Sequence, residues 1–111
     1  MSIHDLPSSD CTTALQCLRF FLETSCFEEI EFVTRLGVSR SALASIVDEW
    51  TEIEDKSSSC VGYLALNNCF NEICYGVSLS KEEWAKWFFS VSRETVCETY
   101  NRWLLSNREH K

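Results

Sequence analysis

Three times along this chain a serine follows an aliphatic residue and stands four positions ahead of a second apolar side chain. The copies are Val38-Ser39 before Leu43, Leu79-Ser80 before Trp84, and Val91-Ser92 before Val96. A serine so placed accepts from the free amides of a helix's first turn, and the flanking apolar pair closes over it as a hydrophobic staple. The copies are unevenly spaced, so they mark separate helix starts and not the units of a solenoid. Only three Gly and one Pro accompany seven Phe, four Trp and three Tyr, too few turn formers for a sandwich or barrel of many short strands. The expected fold is all-α, one compact domain over 1-111 built from five to six helices.

Apolar spacing places those helices. Residues 1-9 read as a poorly ordered lead-in, with Pro7-Ser8-Ser9-Asp10 ending at an N-cap. Ala14, Leu15, Leu18, Phe21 and Leu22 then recur at helical period over 11-23. Ser25-Cys26-Phe27-Glu28 has capping-box form and opens a second helix that runs to Leu36, where Gly37 suits a left-handed end. Ser39 starts a third, with Leu43, Ile46, Val47 and Trp50 on one face. The polar stretch 51-59 is the longest internal loop. A mostly apolar helix follows from Val61 to Tyr75, closed by Gly76; Ser80 starts a fifth helix carrying Trp84, Trp87 and Phe88 inward; and Ser92 starts a sixth with Tyr100, Trp103 and Leu104.

Seven cysteines could signal a disulfide scaffold, but the count is odd and no pair has CxxC spacing. The start Met1-Ser2-Ile3-His4-Asp5-Leu6 has neither a basic nor an apolar leader segment. Reduced thiols in a cytoplasmic protein are the expectation, most of them buried as small apolar groups. The two histidines, His4 and His110, lie near the ends, so no zinc set is expected. No apolar run approaches the roughly 18 residues needed to cross a membrane.

The net charge of −7 opposes non-specific attraction to phosphate backbones and anionic lipid, so neither nucleic acid nor membrane is an expected partner. That excess is local. Between Glu23 and Asp55 nine acids face only Arg35 and Arg40, and the rest of the chain balances. The same stretch has the spacing of a DNA-reading helix-turn-helix, with Gly37 in the turn. Its second helix, however, offers one base, Arg40, beside Asp48 and Glu49, where a recognition helix brings several. The spacing therefore reads as packing, and the acids as a surface for a basic protein. Candidate partner-binding residues are Glu29, Glu31, Asp48, Glu49, Glu52, Glu54 and Asp55, with Trp50 as an aromatic anchor beside the acidic loop. The alternatives are a helix-turn-helix transcriptional regulator and an acidic, antirepressor-like protein.

Catalysis has no foothold in the pattern. There is no phosphate loop and no nucleophile elbow, and the acids at i, i+3 and i, i+4 spacing on helices read as solvated or paired. Neither catalytic residues, a metal nor a cofactor is expected. The most unusual polar feature is Asn67-Asn68 with Asn71, since asparagine is a poor helix-interior residue. One of these should bridge helices and satisfy backbone groups of a neighbouring loop, a partner contact being the alternative.

Taken together, Leu36-Gly37-Val38-Ser39-Arg40, Ile46-Val47-Asp48-Glu49-Trp50, Leu64-Ala65-Leu66-Asn67-Asn68-Cys69-Phe70-Asn71 and Glu82-Glu83-Trp84 resemble a family of small bacterial immunity proteins. Proteins of that family accompany polymorphic toxins, including those of contact-dependent growth inhibition. The resemblance covers about Leu18 to Trp103. It implies a non-catalytic cytoplasmic inhibitor, monomeric within a 1:1 complex, that blocks the active site of a cognate toxin C-terminal domain, often a nuclease with a basic cleft.

Overall fold

Each of the three serine caps is in place. In the computed structural model, which describes residues 2–55, 57, 59–88 and 91–108, the Oγ of Ser39 accepts from Ala42 N at 3.1 Å and that of Ser92 from Thr95 N at 3.1 Å. Ser80 forms a full capping box with Glu83. Six α-helices result, with no strand among the described residues: α1 (Ser8–Glu23), α2 (Glu29–Leu36), α3 (Arg40–Asp48), α4 (Val61–Asn71), α5 (Lys81–Trp87) and α6 (Arg93–Arg108).

The first helix lies at the centre, touching α3, α4 and α6, while α2 crosses α3 and α4. Its Ala14, Cys17, Leu18, Phe20 and Phe21 are buried together with Leu43 of α3, Leu66 and Phe70 of α4, and Val96 and Trp103 of α6. Aromatic rings join the layers. Phe20 meets Trp87 edge-on with centroids 5.8 Å apart, and Phe70 stacks on Tyr100 at 5.3 Å. Cys17, Cys69 and Cys74 are buried, and burial pushes all three thiols up. Cys11, Cys60 and Cys97 are half-buried, Cys26 is exposed, and all seven are free.

Four sequence expectations need correction. Helix α1 starts three residues before the expected 11, with Pro7 as its N-cap. Asp10 caps nothing; it is buried and bonded to Arg102 and Thr99 of α6. Second, Ser25 and Glu28 form no capping box. Phe27 is drawn down onto Phe21 in a stack at 5.4 Å, and α2 begins only after it, with Glu28 as an N-cap whose side chain makes no bond. Third, the α4 segment does not stay α-helical to Tyr75 but widens into a π turn over Glu72–Gly76, closed by Val77 N donating to Glu72 O at 2.8 Å.

The fourth correction is the lead-in, which is folded from Ser2 on. Ser2 and Asp5 cap a 3-10 turn over Ile3–Asp5, and Ile3 is fully buried. His4 Nε2 lies 2.6 Å from the Trp50 carbonyl, and the Cys11 thiol donates to Ile3 O at 3.1 Å. Thus the start of the chain is fastened to the segment after α3, which is itself partly regular, with a 3-10 turn over Trp50–Glu52.

Candidate functional site

The expected helix-turn-helix pair, α2 and α3, is held from beneath by α4. Gly37 ends α2 with φ of 71°, a left-handed conformation in which a Cβ costs energy. Asn68 of α4 donates through Nδ2 to the Leu36 carbonyl at 2.9 Å, satisfying a free group at that helix end. This is the helix-bridging asparagine that the sequence pattern called for. Asn67 has a different role, accepting from the Tyr100 hydroxyl at 2.7 Å; Asn71 is exposed.

Both bases of the acidic stretch are used inside the fold. Arg40 donates to the Phe21 and Leu22 carbonyls at 3.1 and 3.3 Å, capping the end of α1, and its guanidinium lies 4.4 Å from the Phe32 ring centre. Its Nε is 3.7 Å from Glu29. Arg35 lies over Phe27, 3.4 Å from Glu31 and 3.1 Å from Glu72. Glu29 and Glu31 are therefore exposed but each already faces a cation. On α3 the outward residues Ser41, Ser45 and Asp48 include no base.

Further along, Asp48, Glu49, Glu52 and Glu54 are all exposed, and none of them makes an ion pair among the described residues. Glu49, Glu52 and Glu54 stand around a groove of about 320 Å³ between α3 and the first turn of α4. Its walls are apolar: Ala42 and Ile46 from α3, Ile53 from the connecting strap, and Val61 from α4. Val61 is 52% exposed although it opens an otherwise apolar helix. The strap is pressed close to that helix, because a Cβ on Gly62 would run into the Glu54 carbonyl and lie 2.8 Å from Ile53 Cγ1. An apolar floor with three carboxylates at its edge can receive an aliphatic or aromatic side chain next to lysine or arginine.

Two candidate residues lie elsewhere. Asp55 is fully buried, bonded to Ile3 N and Trp103 Nε1, and leaves the binding surface altogether. The reason is its neighbours: a buried indole N–H and a buried amide both need an acceptor, and Asp55 supplies it. Trp50 is half-buried against the core with the His4 ring edge-on at 5.1 Å, so its ring is occupied from one side. The sequence reading missed Ile46, Ile53 and Val61 as a groove floor, because apolar spacing counts such positions as core. The one available signal was Gly62, which admits close backbone approach beside an apolar helix start.

No cluster of three or more His, Cys, Asp and Glu capable of holding a metal occurs among the described residues, and no described helix is long and apolar enough to cross a membrane. Fold and groove together define an all-helical single-domain protein with an acid-edged apolar groove. Searches against protein-family models, curated proteins and solved structures find no match to the chain.

Proposed function

We propose that this protein is an inhibitor that binds a basic protein through the α3–α4 groove. In its most specific form, it is a cytoplasmic immunity protein that blocks the cleft of a cognate nuclease-type toxin domain as a monomer in a 1:1 complex. The observation that carries this reading is the arrangement of Glu49, Glu52 and Glu54 around an apolar floor, with Arg35 and Arg40 both engaged elsewhere. Acidic side chains presented this way stand in for phosphates, speed encounter with a basic cleft, and leave the apolar contact to supply residence time. A DNA-reading role is less well supported, since Arg40 is spent on the end of α1 and the outward face of α3 carries Asp48 and no base.

The test is to find whether the coding region upstream encodes a large secreted protein, and to mix its purified C-terminal domain with this chain. Co-elution as a 1:1 complex, with loss of the domain's toxicity on co-expression, is the expected result. No complex, together with DNA affinity that falls steeply with salt, overturns the reading.

A further inference from the structure

A second groove, larger and of opposite charge, lies between α5 and the start of α6. It is an open groove offering about 810 Å³, a size within the range of small-molecule sites. Leu79, Trp84, Phe88 and Val91 form its apolar wall, and its charged lining residues are both cations, Lys81 and Arg93. Neither pairs with a carboxylate among the described residues. Glu82 and Glu94, adjacent in sequence to the two cations, are exposed and pair with neither, and Glu83 accepts from Ser80 N at 3.2 Å.

The wall is held in place from several sides. Trp84 donates its indole N–H to the Val91 carbonyl at 2.7 Å and stacks on Phe88 with ring centres 4.5 Å apart. Arg93 lies 5.3 Å from the centre of the Trp84 ring and donates to Val77 O at 3.4 Å. Phe88, Trp84 and Arg93 therefore form one fixed stack, so a ligand would meet a surface that is already ordered. Two cations beside an apolar wall, without a convergent set of amides or further bases, match a singly charged head on an apolar body better than a polyphosphate.

We infer that the α5–α6 groove is a binding site for a small amphiphilic carboxylate, its apolar body against Leu79, Trp84 and Val91 and its head between Lys81 and Arg93. The full chain is titrated with decanoate, and with decyltrimethylammonium as a probe of the same tail and opposite head, both below micelle-forming concentrations. Backbone and indole N–H resonances report the contact. Decanoate is expected to shift the Trp84 indole and the 78–93 backbone saturably, and the cationic amphiphile to leave them in place. The double variant Lys81→Gln, Arg93→Gln should weaken decanoate roughly tenfold. Ala85→Glu, on the exposed face of α5 at the groove and compatible with a helix, should abolish binding without relying on Arg93's bond to Val77. Equal binding of both amphiphiles, shifts confined to other parts of the molecule, or groove shifts that track protein concentration and so report a second copy, would each overturn the assignment.

Discussion

Asp55 accepts the indole N–H of Trp103 at 2.8 Å and, on the same Oδ2 atom, the amide N–H of Ile3, also at 2.8 Å. One carboxylate oxygen thus ties the first folded turn and the strap after α3 to the last helix, across 52 and 48 residues of sequence. The other oxygen is buried with no hydrogen-bond partner among the described residues. Asp55 therefore works for the fold while its neighbours Glu52 and Glu54 face solvent at the groove. Within four residues of one loop, the buried acid serves stability and the exposed acids are left for the proposed partner.

Replacing Asp55 with alanine strands two buried donors and should cost about 2–4 kcal/mol. Asp55→Asn keeps one acceptor oxygen and should lose clearly less. Urea unfolding followed by far-ultraviolet circular dichroism measures both. An unchanged midpoint for the alanine variant would mean that water serves Ile3 and Trp103 equally well.

Acid sensitivity should centre on Asp10. The hydrogen bonds from Arg102 hold its carboxyl below the ordinary aspartate value of 3.8; burial opposes this, while the charge of Arg102 and the Thr99 hydroxyl reinforce it. The unfolded chain takes up this proton at higher pH than the folded one. The stabilisation is thus complete above the unfolded value and is lost as pH falls through the lower, folded value. Asp10→Asn should cost about 1–2 kcal/mol at pH 7, the partly exposed guanidinium keeping the figure low. Unfolding free energies from pH 7 to 2 should decline less steeply in that variant than in the parent, and parallel curves would exclude Asp10 as the source.

The α2–α3 turn gives a coupled pair. Gly37→Ala places a Cβ in the left-handed region and 2.9 Å from Asn68 Nδ2; the strain should amount to about 1–2 kcal/mol. Asn68→Ala removes the donor to Leu36 O and should cost about 1 kcal/mol. Since the alanine at 37 already disturbs that bond, the double variant should lose less than the two single losses combined. Full additivity in thermal or urea unfolding would show that the glycine acts through φ alone.

Much of this fold was legible because helix signals are local. Ser39, Ser80 and Ser92 cap where the sequence put them, and Gly37 ends α2 with the conformation its type suggests. The misplaced α2 start and the misassigned acids came from long-range demands. Ser25 and Glu28 have the right spacing for a box, but burying Phe27 against Phe21 decides where α2 starts. Asp55 looks like any acid in a polar loop until Trp103 and Ile3 arrive beside it. Local charge counting also placed Glu29 and Glu31 on a par with Glu49, Glu52 and Glu54, because it does not reveal that Arg40 and Arg35 fold back onto the first pair.

That last difference sets the sharpest prediction about binding. If the partner's basic surface docks on the α3–α4 groove, Glu49→Gln, Glu52→Gln and Glu54→Gln together should weaken it by roughly 10- to 100-fold, mostly through slower association at low salt. Glu29→Gln with Glu31→Gln should change affinity by less than about threefold, since both acids already face an arginine and lie on exposed α2. Val61→Glu, which leaves the acids in place but fills the apolar floor with charge, should instead speed dissociation. Surface plasmon resonance at two salt concentrations separates these effects. Larger losses from the Glu29 and Glu31 pair than from the groove acids would move the docking surface onto α2.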